Sequence, residues 1–303
     1  MSALAWWVLA VTPALTEFLG GEDEGREELV REHYSRQDVR NEVVRFSRGR
    51  WLALAGRRWI RHLGRAPLIV DSLRLPGTLL ATGTRAIYAT TSIYRRLKRR
   101  EDPYDDGNVV AVTPYLDIDN DLEQWRSTIE AARAAVEELE SLGVVKSVYI
   151  LWSGRGAHVR IHELSLSKEM RDLDHAWALA EYVRMRIEAK VAEIRGRYEA
   201  LGMKVENQLK PRSLFTVPLS LHRRIDRVAV CLKPEELDEF DPSWTEPGGF
   251  VHDANWDEHE VGEADEAARR AMEVVGGYPV PRSRYRRREP PVDEMVRRWD
   301  EVR

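Results

Sequence analysis

The chain has 303 residues, 43% of them apolar and 32% charged, with a formal net charge of −4 at pH 7. That balance belongs to a globular protein with charges of both signs interspersed. It excludes a disordered chain and a protein that coats nucleic acid through overall positive charge. A single cysteine, Cys231, excludes an intramolecular disulfide and a metal site built from several cysteines, and makes the cytoplasm the default compartment.

Taken in chain order, the opening stretch "MSALAWWVLAVTPALTEFLGG" carries an apolar run that is interrupted at Pro13, ends at Glu17 and lacks a basic leader. It reads as a core-packing helix or strand, with a signal peptide as the alternative; no membrane association is expected. Strands fit "AIYATTSIY" and "RVAVCLK", and "VVKSVYILWSGRGAHVRIHE" reads as a strand, a turn at Gly154 to Gly156 and a second strand. From Leu122 the apolar positions Leu122, Trp125, Ile129, Ala132, Val136 and Leu139 recur every three or four residues and predict a helix stopped at Gly143. The same rhythm from Leu173 to Leu201 predicts a long helix closed by Gly202. The mixed order predicts an α+β fold with mostly antiparallel sheets. Composition shifts after Asp241, so residues 1–242 are expected to form the main domain and 243–303 a C-terminal extension, helical or partly ordered. Two basic runs, "YRRLKRRE" (94–101) and "PRSRYRRREP" (281–290), are solvated faces or tails unless they border a site.

Three short segments hold the chemistry-bearing residues. In "YLDIDND" (115–121) a strand puts Asp117 and Asp119 on one face, roughly 7 Å apart at Cα, close enough to share or bridge divalent cations. Alone, such a pair is equally a solvated strand end. An EF-hand is excluded, because Leu122 stands where its glycine belongs and Thr128 where its glutamate belongs. In "SGRGAHVRIHE", Ser153 and the glycines Gly154 and Gly156 offer a turn whose backbone can approach phosphate oxygens. His158, Arg160 and His162 share one face of the strand after it, with His162 read as structural. The third segment carries Glu206 and then "PLSLHRR", with Ser220 and His222 just ahead of two arginines. No Ser/His/Asp or Cys/His nucleophile arrangement is signalled.

In order and content these segments resemble the motifs of the catalytic small subunit of archaeo-eukaryotic primases. "YLDIDND", "SGRGAHV", "VE" and "VPLSLH" follow one another as that family's motifs do. Upstream "WIRHL" and downstream "LDEFDP" resemble the flanking segments, so the likeness spans about residues 28 to 242. It implies the primase catalytic fold and DNA-directed synthesis of primers on single-stranded DNA from nucleoside triphosphates, by two-metal nucleotidyl transfer. Asp117, Asp119 and Glu206 are implied as catalytic ligands of Mg2+ or Mn2+. Arg61, Ser153, Gly154, Arg155, His158, Ser220 and His222 are implied as nucleotide contacts, and a primase large subunit as partner. Three departures stand out. The third acid is Glu206 where the family usually has Asp, Thr216 stands where a basic residue is common, and the zinc-binding cysteines of many relatives are missing. No zinc knuckle or iron–sulfur cluster is therefore expected in this chain. The alternative is a catalytically weak or inactive primase-like subunit that binds template or a partner.

Overall fold

A computed structural model of the chain describes residues 13–56 and 58–280. The first twelve residues of the apolar N-terminal stretch and the basic run from 281 lie outside the described residues. Two helices come first, α1 (Pro13–Ser35) and α2 (Gln37–Ser47); in α2 the three-to-four spacing of Val39, Val43 and Phe46 turns all three into the core. Then follow β1 (Arg50–Gly56), the two-residue strands β2 (Trp59–Ile60), β3 (His62–Leu63) and β4 (Ala66–Pro67), the short helix α3 (Gly77–Thr82), and β5 (Thr84–Tyr94). The middle of the chain supplies β6 (Val109–Val112), β7 (Tyr115–Asp119), α4 (Trp125–Ser141), β8 (Val148–Trp152), β9 (Ala157–Ile161) and α5 (Leu173–Tyr198). β10 (Lys204–Glu206), β11 (Leu214–Thr216), β12 (Val230–Leu232) and α6 (Asp265–Val275) complete it.

The fold is α+β with antiparallel sheets. One sheet runs β11-β5-β1-β2, with β6 also paired to β5; the other runs β10-β7-β9-β8-β12. Alternation decides which side chains meet between them. Leu52, Leu54, Ile87 and Phe215 of the first sheet face Tyr115, Tyr149 and Arg160 of the second. The Tyr115 and Phe215 rings lie 5.6 Å apart, and the Arg160 guanidinium sits 3.9 Å over Phe215. On the opposite face of the second sheet, Leu116, Ile118 and Val159 are covered by α4 and α5.

Several boundaries differ from the sequence pattern for local reasons. α4 starts at Trp125 because Leu122–Gln124 form a 3-10 turn ahead of it. α5 ends at Tyr198, short of Gly202: Glu199 takes a left-handed conformation (φ 53°), its N–H reaches the carbonyls of Arg195 and Gly196, and Leu201 is left 84% exposed. The expected boundary near residue 242 marks no break in packing. Trp256 is buried with its ring 5.4 Å from Phe46 and 4.9 Å from Tyr149, and α6 lays Ala267, Ala268 and Ala271 into the interior beside α5. Residues 243–280 thus complete the main core. Among the described residues, no helix is long and apolar enough to cross a membrane.

Candidate active site

The second sheet aligns the acids. β7 lies between β10 and β9, and its register sets Glu206 opposite Asp117 on one side and His158 opposite Asp117 on the other. Directly opposed residues share a face with Cβ atoms about 4.5–5.5 Å apart. Glu206, Asp117 and His158 therefore form one row across three strands. Asp119 lies two residues further along the same face, opposite Lys204.

His158 is tied down at both ring nitrogens. Arg160 Nη2 lies 2.9 Å from His158 Nδ1, and because a guanidinium only donates, Nδ1 is the acceptor. The ring proton of the neutral imidazole then sits on Nε2, 3.2 Å from Asp117 Oδ1. Arg160 is itself fully buried and donates from Nη2 to the Thr216 carbonyl at 2.8 Å, so the row is braced against the edge strand of the first sheet. The crowding of acids has an electrostatic signature. Burial, then the neighbouring Asp117, and further the Glu206 carboxylate raise the pKa of Asp119, while His158 and Lys204 oppose the rise. Tyr115, buried two residues before Asp117, has its phenol pushed up by burial and by that carboxylate.

The glycine turn is fitted to this row. A Cβ on Gly156 would stand 2.1 Å from the Ile118 carbonyl oxygen, so only glycine lets the start of β9 lie against β7 between the two aspartates. Gly154 takes φ +113°, and a Cβ there would meet the His222 ring at 3.2 Å. The turn and the His222 segment are therefore in contact. His222 Nδ1 accepts the N–H groups of Arg224 (3.2 Å) and Ile225 (3.1 Å), which leaves the proton of a neutral ring on Nε2. Burial, followed by Arg155, Arg85, Arg223 and Arg224, lowers its pKa to about 4, so it is neutral at physiological pH amid arginines. Anions are the species such a cluster favours.

The structure thus brings Asp117, Asp119, Glu206, His158, Gly154, Arg155 and His222 into one neighbourhood. Three expected contacts sit differently. Ser153 spends its N–H (2.8 Å) and its hydroxyl (3.2 Å) on the Gly156 carbonyl, closing the turn. Ser220 is fully buried: its hydroxyl accepts the Ile87 N–H at 2.8 Å and donates to the Leu221 carbonyl at 3.1 Å, so it joins β5 to the segment before His222 and presents nothing to a nucleotide. Arg61 lies on the first sheet, stacked 3.4 Å over Trp51, where burial lowers its pKa to about 10; it keeps its charge.

All three acids offer oxygen donors, and Asp119 is destabilised as an anion by burial and then by Asp117, so the donor set suits a hard divalent cation. Among the described residues, no three His, Cys, Asp or Glu side chains converge as a ready-made metal cage. Mg2+ is ordinarily held by one or two carboxylates plus substrate phosphate, and the face carrying Asp117, Asp119 and Glu206 fits that mode of binding. Cys231 is buried and unpaired.

Solved structures similar to this chain include two polymerase-type domains. The polymerase domain of Mycobacterium tuberculosis ligase D, in complex with DNA, is 15% identical over 82% of this chain and 88% of that one, with a TM-score of 0.47. The AEP domain of the cyanophage S-2L primase-polymerase is 13% identical over 70% of this chain and 96% of that one, with a TM-score of 0.35. No family model and no curated protein matches the chain.

Sequence reasoning missed the helix that holds the His222 segment. The His33 ring contacts the Leu219 carbonyl through Nε2 at 2.8 Å, and the Tyr34 hydroxyl donates to the Arg85 carbonyl (2.7 Å) while accepting the Leu221 N–H (3.0 Å). Burial keeps His33 neutral, its pKa lowered to about 4. The signal is the segment from "HYSRQDVR" onward, which resembles the N-terminal region of the primase small subunit, a resemblance that assigns His33 and Tyr34 no role.

Proposed function

We propose that the chain is a nucleotidyltransferase of the archaeo-eukaryotic primase type, making short primers on single-stranded DNA from nucleoside triphosphates. The observation that carries this reading is the cross-strand row Glu206–Asp117–His158 with Asp119 beside it, placed against the turn that packs on His222. Asp117, Asp119 and Glu206 are the residues to hold Mg2+ or Mn2+. A bound pair of such ions supplies Lewis-acid polarisation of the α-phosphate and a more acidic 3′-hydroxyl.

The remaining work belongs to the chain's own side chains. His158 orients Asp117 through its Nε2–H, and Arg160 fixes the tautomer that makes this possible. Arg155 and His222 receive the triphosphate, the first as a cation and the second as a neutral N–H donor. A primase large subunit is the protein partner, to be sought by co-purification, and the cytoplasm is the compartment.

Incorporation of labelled nucleotides on a homopolymer template with Mg2+ or Mn2+ tests the reading. Wild type should incorporate, and Asp117→Ala with Asp119→Ala should fall to background; equal signal from the two proteins dismisses it. A second reading, a subunit that binds template without catalysis, draws support from the Glu206 carboxylate, which accepts a hydrogen bond from Gln208 at 2.7 Å. In that case wild type binds an oligonucleotide but incorporates nothing.

A further inference from the structure

The face of the first sheet turned away from the core carries a second cluster, next in sequence and space to His222. β2 pairs with β1 so that Trp59 lies opposite Ala55, and β5 sets Tyr88 opposite Ala53; these positions alternate with the core-facing Leu54 and Ile87. Trp59 is 49% exposed. Its ring lies 4.9 Å from that of Tyr88 at an interplanar angle of 50°, and the Arg223 guanidinium stands 5.7 Å over it. Arg58, one residue before Trp59, is exposed, and Arg61, two residues after it on the same face, stacks over Trp51.

An exposed tryptophan backed by a second aromatic ring has little structural reason to face water. Solitary exposed apolar residues are ordinary, but this one has the Arg223 guanidinium over its ring and Arg58 and Arg61 close to it in sequence. Aromatic rings with cations over and beside them suit a ligand that alternates flat rings with anions, which is a single nucleic-acid strand. A duplex keeps its bases stacked inside and cannot lay them on Trp59. An acidic peptide would satisfy the arginines but leave the two rings without a stacking partner.

We propose that this face is the docking track for the single-stranded DNA template, with a base stacked on Trp59 against Tyr88 and the flanking phosphates held by Arg58, Arg61 and Arg223. The track begins one residue after His222, so a strand lying on it leads to the turn that packs against the acid row. The proposal deepens the function proposed above, on which it rests for its choice of ligand.

The test is binding of a labelled oligodeoxythymidine, followed by fluorescence anisotropy at several salt concentrations. Trp59→Ala should weaken binding roughly 5- to 150-fold, the range that loss of one base stack gives. Trp59→Phe, which keeps a ring, should stay within about threefold of wild type. Arg223→Gln should reduce the slope of log affinity against log salt by about 0.7, one phosphate contact on a single strand. The Arg223 variant leaves Trp59 in place, so the slope reads the track even if Trp59→Ala folds poorly. Affinity within twofold of wild type in a folded Trp59→Ala protein, or an unchanged salt slope in Arg223→Gln, overturns the proposal. If wild type incorporates no nucleotide yet binds in a Trp59-dependent way, the catalytic reading falls and the track stands; incorporation with Trp59-independent binding gives the reverse.

Discussion

Replacing Gly156 by alanine places one methyl group where the structure has least room for it. The added Cβ would lie 2.1 Å from the Ile118 oxygen, 3.1 Å from the Ile118 carbonyl carbon and 3.3 Å from Asp119 Cα, all backbone atoms that cannot swing aside. A carbon and a carbonyl oxygen settle at about 3.3 Å or more, so β7 and the start of β9 must part by about 1 Å. Overpacking of this kind costs about 1–3 kcal/mol, and a weakened ladder hydrogen bond adds about 1 kcal/mol. A loss of about 2–4 kcal/mol is therefore expected in urea denaturation. The same opening falls beside the Asp117–His158 pair, now 3.2 Å apart, and stretches it beyond hydrogen-bond range. Nucleotide incorporation should drop well beyond what the lost stability explains when assayed far below the melting temperature. Gly196→Ala is the control: it lies within α5 with nothing within 4 Å of the added carbon, and should stabilise by about 0.5–1 kcal/mol with activity unchanged. A Gly156→Ala protein with wild-type midpoint and wild-type activity would show that the close approach of the two strands does not position the acids.

Three further outcomes are expected. Tyr34→Phe removes the acceptor of the buried Leu221 N–H and the donor to the Arg85 carbonyl, so it should cost about 1–3 kcal/mol in urea and raise KM for the nucleoside triphosphate more than it lowers kcat; unchanged stability would refute the bracing role of α1. Arg160→Leu removes the donor that fixes His158, so 15N spectra of the imidazole should show unprotonated Nδ1 in the wild type and a tautomer mixture in the variant; identical spectra would detach Arg160 from the site. Stability should also fall with acid in two stages. Burial lowers His33 and His252 from 6.5 to about 4, so the stability each contributes, up to about 3 kcal/mol, is complete above pH 6.5 and is lost as pH falls through 4. Burial would raise Glu163, but Arg50 and then His162 and Thr113 hold it at about 2, so its contribution is lost lower, between about 4.5 and 2. A urea midpoint that stays flat from pH 7 to 3 would contradict both stages.

The parts of this architecture that show in the sequence are those written by short-range periodicity. β7 is legible because Asp117 and Asp119 alternate with Leu116 and Ile118, and α4 because its apolar residues repeat at helical spacing. The pairing of β10 with β7 is not, since a three-residue strand is too short to show a period and its register is set by contacts distant in sequence. Ser220 looks like a site residue because it belongs to "VPLSLH", the segment that resembles a primase motif. Its burial follows from the need of the Ile87 N–H for an acceptor, which no local pattern reveals. Arg160 shows as a cation on a strand face, but its place between Phe215 and His158 depends on how the two sheets stack.

The position of Trp256 bears on how the chain assembles as it is made. Phe46 and Tyr149 are synthesised long before the indole that covers them, whose N–H donates to Glu42 at 2.7 Å. A nascent chain extending only to Asp241 would carry every acid of the site and still have an open apolar seam. Such a seam is where chaperones bind and where incomplete chains aggregate, so final compaction waits until the segment carrying Trp256 has been made.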